Sequence, residues 1–153
     1  MPLYFSYGSN MDVAAMRIRC PTSQLCGRAE LNGHRFFIMG DGYASIARDS
    51  DACVHGVMWQ VGPADVAALD QYEEVSSGLY VKRMGPILFG GNFRRALFYC
   101  GRSRLPGKPR AGYMETIIAA AAAADLPIAY QGFLAGFRTI GIRGERRLGE
   151  PAD

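Results

Sequence analysis

The sequence has no Cys-x-x-Cys pair and only two histidines, His34 and His55. Its four cysteines, Cys20, Cys26, Cys53 and Cys100, are scattered along the chain, so the spacing of a zinc module is missing. They read as reduced thiols, mostly small buried hydrophobes. No metal and no cofactor is expected. Two histidines also leave few ways to build a Ser-His or Cys-His catalytic pair. Long apolar runs are lacking too: the Ala119–Ala124 tract is short and stops at Asp125 and Pro127. No basic residue precedes the first apolar segment, unlike a signal peptide. A cytoplasmic location is expected, with no membrane partner. Charge of one sign is not in excess. The net charge is +3, with 15 of the 17 basic residues being Arg, which is too weak a bias for a dedicated nucleic-acid binder. The densest cluster, Arg143-Gly144-Glu145-Arg146-Arg147, reads as a solvated tail.

What is present is an ordinary globular composition, 49% hydrophobic and 20% charged over 153 residues. That length predicts one domain with a sizeable core. Neither an internal repeat nor a domain boundary is visible. We place the domain at residues 1–140 and an irregular tail at 141–153. Strands are predicted at 3–7, 35–39, 43–47, 54–61, 80–84 and 96–100. Loops are expected over 20–28 and 48–51, and helices over 12–19, 64–73, 112–124 and 127–137. Short strands joined by tight turns predict an antiparallel meander. The fold class is therefore α+β: a small mixed, mainly antiparallel β-barrel or strongly bent sheet with flanking helices.

The opening stretch, Tyr4-Phe5-Ser6-Tyr7-Gly8-Ser9-Asn10-Met11, runs from an apolar strand through a turn into a helix N-terminus, with Asn10 or Asp12 as the cap. That geometry turns several backbone N–H groups toward one point and so attracts an anion. It is neither a phosphate loop nor a G-x-S-x-G elbow.

A second feature lies in the helix predicted at 64–73. At 100° per residue, Val66, Leu69 and Glu73 fall within roughly 60° of one another, so Glu73 continues an apolar stripe while Glu74 turns to solvent. Burial there would raise its pKa toward the range of general acid/base work. If instead the helix frays at Tyr72, both glutamates sit in a wet loop. Tyr99, at the end of a strand, and Tyr113, at the start of the Ala-rich helix, can each place a hydroxyl in a cleft or bury it as a satisfied core group.

Three ordered blocks together resemble the γ-glutamylcyclotransferase superfamily, which includes AIG2-like and butirosin-pathway enzymes. They are the strand ending in Tyr7-Gly8-Ser9-Asn10; Leu69-Asp70-Gln71-Tyr72-Glu73 followed by Gly78-Leu79-Tyr80; and Pro109 to Tyr113 with Leu126-Pro127-Ile128-Ala129-Tyr130. The resemblance implies a small mixed barrel with Glu73 as catalytic acid/base. It implies a glutamyl-binding loop formed by Tyr4, Phe5, Ser6, Tyr7, Gly8, Ser9 and Asn10, with Tyr99 and Tyr113 as active-site tyrosines. Many relatives carry Gly after the glutamate, where this chain has Glu74. The implied reaction closes a γ-glutamyl group on itself, giving 5-oxoproline and a free amine or amino acid. The expected partner is thus a small γ-glutamyl substrate, with the chain acting as a monomer or homodimer. The same residues are compatible with a non-catalytic module that only binds such a ligand.

Overall fold

The computed structural model describes residues 2–138; the expected tail at 141–153 lies outside the described residues. Five strands and four helices follow one another as β1 (Leu3–Ser6), α1 (Val13–Arg19), β2 (Gln24–Ile38), β3 (Ala44–Gln60), α2 (Pro63–Tyr72), β4 (Tyr80–Phe89), β5 (Asn92–Gly101), α3 (Tyr113–Ala123) and α4 (Ile128–Ala135). The strands close into a barrel in the order β1-β3-β2-β4-β5. Every pairing is antiparallel except the closing one, where β1 meets β5 in parallel at Tyr4 and Leu97. The mixed α+β barrel expected from the sequence is the fold observed. Among the described residues no helix is long and apolar enough to cross a membrane.

Strands β2 to β5 run longer than expected: β4 continues to Phe89 and β5 begins at Asn92, and the largest difference lies in β2 and β3. Residues 24–28 belong to β2, not to a loop, and 48–51 belong to β3, not to a turn. β2 pairs with β3 from Gln24↔Gln60 to Asn32↔Cys53 and again from His34↔Arg48 to Ile38↔Ala44, with register shifts at Leu25/Gly27 and Asn32/His34. The polar run Arg48-Asp49-Ser50-Asp51 is therefore carried along an irregular stretch of ladder. Gly27 (φ 137°) and Gly33 (φ 74°) supply the backbone that β2 needs there. Such irregularities bend a strand and increase its twist, which lets a five-stranded sheet close. Their polar and glycine composition imitates a turn.

The helices begin and end for local reasons. The Asp12 carboxylate accepts the Ala14 N–H at 3.3 Å and caps α1. Pro63 opens α2, and the buried Asp65 carboxylate accepts the Gly62 N–H (2.9 Å) and the Thr22 hydroxyl (2.5 Å). α3 buries Met114, Ile117 and Ala121, and aromatic residues of α4 pack on β2, with the Phe36 and Phe133 rings 6.4 Å apart. At Gly56 of β3 an added Cβ would lie 2.2 Å from the Ser6 carbonyl oxygen and 2.9 Å from the Phe5 ring. The backbone of β1 occupies that space. Gly56→Ala should thus destabilise the fold by about 3 kcal/mol, an overpacking cost with backbone on the receiving side, read from the urea unfolding midpoint.

Candidate active site

A cavity of about 290 Å³ opens where the C-terminal end of β1 faces the C-terminal end of α2. Its wall includes Tyr4, Phe5, Tyr7, Gly8, Ser9 and Asn10 on one side and Tyr72, Glu73 and Glu74 on the other, with Tyr99 and Tyr113 between. Eight of the nine expected binding positions and Glu73 thus border one cavity. Ser6 does not. Its hydroxyl donates to the Val57 carbonyl (3.2 Å) and accepts from Trp59 Nε1 (3.1 Å). Those two bonds hold the Ser6 side chain against β3, away from the cavity.

After β1 the chain forms a single 3-10 turn, Ser9–Met11. Its backbone bonds run from Met11 N–H to Gly8 C=O and from Asp12 N–H to Ser9 C=O. The first N–H groups of any helical turn lack a partner within it, and those of Gly8, Ser9 and Asn10 form no backbone bond among the described residues. They are available to an anion or a carbonyl oxygen. A Cβ on Gly8 would stand 3.7 Å from the Tyr113 hydroxyl, an ordinary contact distance. Nothing in the protein forbids it, so what Gly8 provides is room.

The helix expected at 64–73 ends one residue early, at Tyr72, and Glu73 caps it. The ending does not release the carboxyl to water. Glu73 stays half-buried in the cavity wall. Desolvation pushes its pKa up from 4.5 to about 7, against the pull of the Arg19 guanidinium. Arg19 is held by Asn10 Oδ1 and lies 3.5 Å over the Tyr72 ring, whose hydroxyl is 2.8 Å from Ser9 Oγ. One cation therefore joins α1, the turn and the end of α2. Glu74 is exposed, takes φ 52° and accepts a 3.4 Å bond from the Ser77 hydroxyl. This is the left-handed position that follows many helices and favours glycine.

Tyrosines surround the carboxyl, and their protons are not equivalent. Tyr7 donates to the Tyr99 carbonyl (2.6 Å), Tyr80 to the Ala44 carbonyl, and Tyr99 to Asp70 Oδ1 (2.7 Å), whose other oxygen holds Lys82 at 2.7 Å. Those three hydroxyls are committed to the scaffold. Tyr4 instead accepts from Asn10 Nδ2 (3.0 Å), and Tyr113 accepts from the Ala44 N–H (3.0 Å). Each therefore keeps its own proton for another acceptor. Burial raises the pKa of all five, so they are donors and not bases at neutral pH. Sequence reasoning singled out Tyr99 and Tyr113 alike; only Tyr113 presents a free O–H. It missed Tyr43, Ala44, Tyr72, Leu79 and Tyr80, which also line the cavity. Of these, Tyr72, Leu79 and Tyr80 lie within the motifs Leu69–Glu73 and Gly78–Tyr80.

Two changes follow. Ionising Glu73 in its half-buried place costs stability. Its folded pKa is raised, so its stabilising share is complete below pH 4.5 and is lost as pH rises through about 7. Glu73→Gln should match the parent near pH 4 and exceed it by on the order of 3 kcal/mol at pH 8, checked by denaturation at both pH values. Glu74→Gly should raise stability by about 0.5–1 kcal/mol by relieving the left-handed backbone, read as a higher melting temperature.

The AIG2-like family model matches residues 53–134, more than half of the chain. That span holds Glu73, Tyr99 and Tyr113 but not the opening turn. Mouse γ-glutamylcyclotransferase is 32% identical over 89 residues, and the human protein of the same name 29%; each match covers 52% of this chain and 47% of the relative. The similarity thus spans about half the length of these curated relatives. Among solved structures, a γ-glutamyl cyclotransferase superposes with a TM-score of 0.83 at 24% identity, covering 90% of this chain and 88% of the other. An uncharacterised human protein gives 0.82 at 26% identity over 89% and 87%. With the barrel, the cavity and the acid at the end of α2 in place, the chain belongs to the AIG2-like family of the γ-glutamylcyclotransferase superfamily.

Proposed function

We propose that the protein is a γ-glutamylcyclotransferase-type enzyme, which converts a small γ-glutamyl amide into 5-oxoproline and a free amine or amino acid. The observation that supports this best is a carboxyl with a pKa near 7 bordering the same cavity as three backbone N–H groups without a backbone partner. A carboxyl at that value takes up and returns a proton at neutral pH with little loss either way. Four free cysteines fit a reducing cytoplasmic setting.

The attacking amine and the attacked carbonyl belong to one glutamyl group, so the reaction needs folding of the substrate and little else. The N–H groups of Gly8, Ser9 and Asn10 hold the substrate carboxylate or the oxygen that becomes negative. Glu73, ionised, accepts a proton from the α-ammonium. The free amine then attacks the γ-carbonyl carbon and closes a five-membered ring. Charge on the carbonyl oxygen is met by the turn and by the O–H groups of Tyr4 and Tyr113. Glu73, now protonated, gives its proton to the leaving nitrogen as the C–N bond breaks. The ring nitrogen gives up its second proton as the lactam forms, and the departing amine takes up one to leave as its ammonium. With that exchange the proton count closes, and Glu73 ends the cycle as it began.

The test is 5-oxoproline release from a panel of γ-glutamyl dipeptides and γ-glutamyl amines. The parent should release it, with kcat rising with pH through about 7. Glu73→Gln should fold and lose at least about a hundredfold in kcat, the low end of a general acid/base contribution, and the pH-dependent limb should vanish with it. Binding of the panel without product would favour a ligand-binding module. A folded Gln variant within tenfold of the parent would remove Glu73 from the reaction.

A further inference from the structure

On another part of the barrel, β2 and β3 bring three metal-ligating side chains together. Cys53 and His55 are two residues apart on β3 and therefore share a face. Glu30 is the register partner of His55, and Asn32 that of Cys53. The Cys53 sulfur, a His55 ring nitrogen and a Glu30 carboxylate oxygen all lie within 4.8 Å of one another. None of the three borders the Glu73 cavity.

Ligand atoms around a tetrahedral zinc, with bonds of about 2.0–2.3 Å, are roughly 3.5 Å apart. Cys53 Sγ and Glu30 Oε1 already stand at 3.5 Å. All three residues are half-buried, so side-chain rotation suffices to close the remaining gap. A thiolate, a carboxylate and a neutral imidazole carry a charge of −2, which one divalent ion cancels. A mixed S, N and O set suits a borderline-soft ion and not magnesium or calcium.

An independent observation comes from α4. The Tyr130 hydroxyl is buried and faces the His55 backbone N–H, yet no bond of normal hydrogen-bond geometry reaches it among the described residues, and its ring is 4.7 Å from that of His55. Tyr130 and Cys53 also border a common cavity of about 460 Å³, whose wall includes Phe36 and Phe133. A buried hydroxyl left unsatisfied costs about 1–3 kcal/mol and calls for a partner such as a water or an ion. Three-ligand zinc sites keep a water in the fourth position.

We propose that Glu30, Cys53 and His55 bind one divalent ion of the zinc class, with a metal-bound water beside the Tyr130 hydroxyl. Binding forms a metal–sulfur bond and releases the Cys53 thiol proton to solvent; nothing is oxidised or reduced. Cysteine ligands bind as thiolates, so the ion displaces the thiol proton on binding. Until then the thiol rests against Glu30 Oε1 and Asn32 Oδ1 (3.4 Å).

The test uses the full chain, stripped with a chelator and titrated with Zn²⁺ alone against a chromophoric competitor. Co²⁺ in a parallel titration reports thiolate ligation by its sulfur-to-metal absorption. The expectation is one equivalent bound with Kd below about 10 µM and a sulfur-to-cobalt band. Cys53→Ser and His55→Gln should each weaken Zn²⁺ binding at least about a hundredfold, more than is typical for loss of an outer-shell partner. Cys53→Ser should also abolish the band, whereas Cys26→Ser should change neither. Should Cys53→Ser fail to fold, His55→Gln and Glu30→Gln carry the same comparison. Weaker binding by the parent, or binding indifferent to these substitutions in folded protein, overturns the proposal. The readout is independent of 5-oxoproline formation.

Discussion

Closure of the barrel through β1 is the constraint from which the cavity follows. β1 has four residues and is paired on both sides, antiparallel to β3 and parallel to β5. A strand so short is held by its neighbours, and the close approach of Gly56 to Ser6 shows how tightly one side fits. Because β1 is fixed, the Gly8–Asn10 turn is fixed at the barrel rim. The same closure brings Tyr99 of β5 beside Tyr4 of β1, their ring centroids 5.9 Å apart. A parallel junction demands a long connection, and most of the chain is that connection. Glu73 arrives at the rim with it.

Within this frame, hydrogen bonds sort the tyrosines into two jobs. The peptide groups of Ala44 and Tyr99 and the carboxylate of Asp70 absorb three phenolic protons. Ala44 is bonded on both sides, donating to Tyr113 and accepting from Tyr80, and so ties β3 to α3 and β4. What remains facing the cavity is a small set of unspent donors and one acid. Pairing rigid donors with an acid of shifted pKa on short, over-determined elements is how a site holds its geometry without help from loops.

Much of this could be read before the structure was known. The turn after β1, the glutamate on the apolar stripe and Tyr113 all carry local signals. The two readings of Glu73 each contained part of the outcome: the helix does end at Tyr72, yet the carboxyl stays in the cavity wall. What escaped reading was non-local. Gly27, Gly33 and the run 48–51 look like turns because irregular ladders use turn residues. Tyr99 and Tyr113 are indistinguishable until Asp70 and Ala44 are seen to take opposite ends of a hydrogen bond. Cys53, His55 and Glu30 have no ligand spacing along the chain, since cross-strand register alone gathers them.

Glu73 makes the molecule's sturdiness and its chemistry pull in opposite directions along a single coordinate. Acidification neutralises the group, tightens the fold and, under the proposed mechanism, idles turnover. Alkalinity does the reverse, leaving a charge stranded in a poorly hydrated wall. On the proposed function, a substrate ammonium would resupply the counter-charge that water no longer provides, and occupied protein would outlast empty protein by a margin that widens as Glu73 ionises.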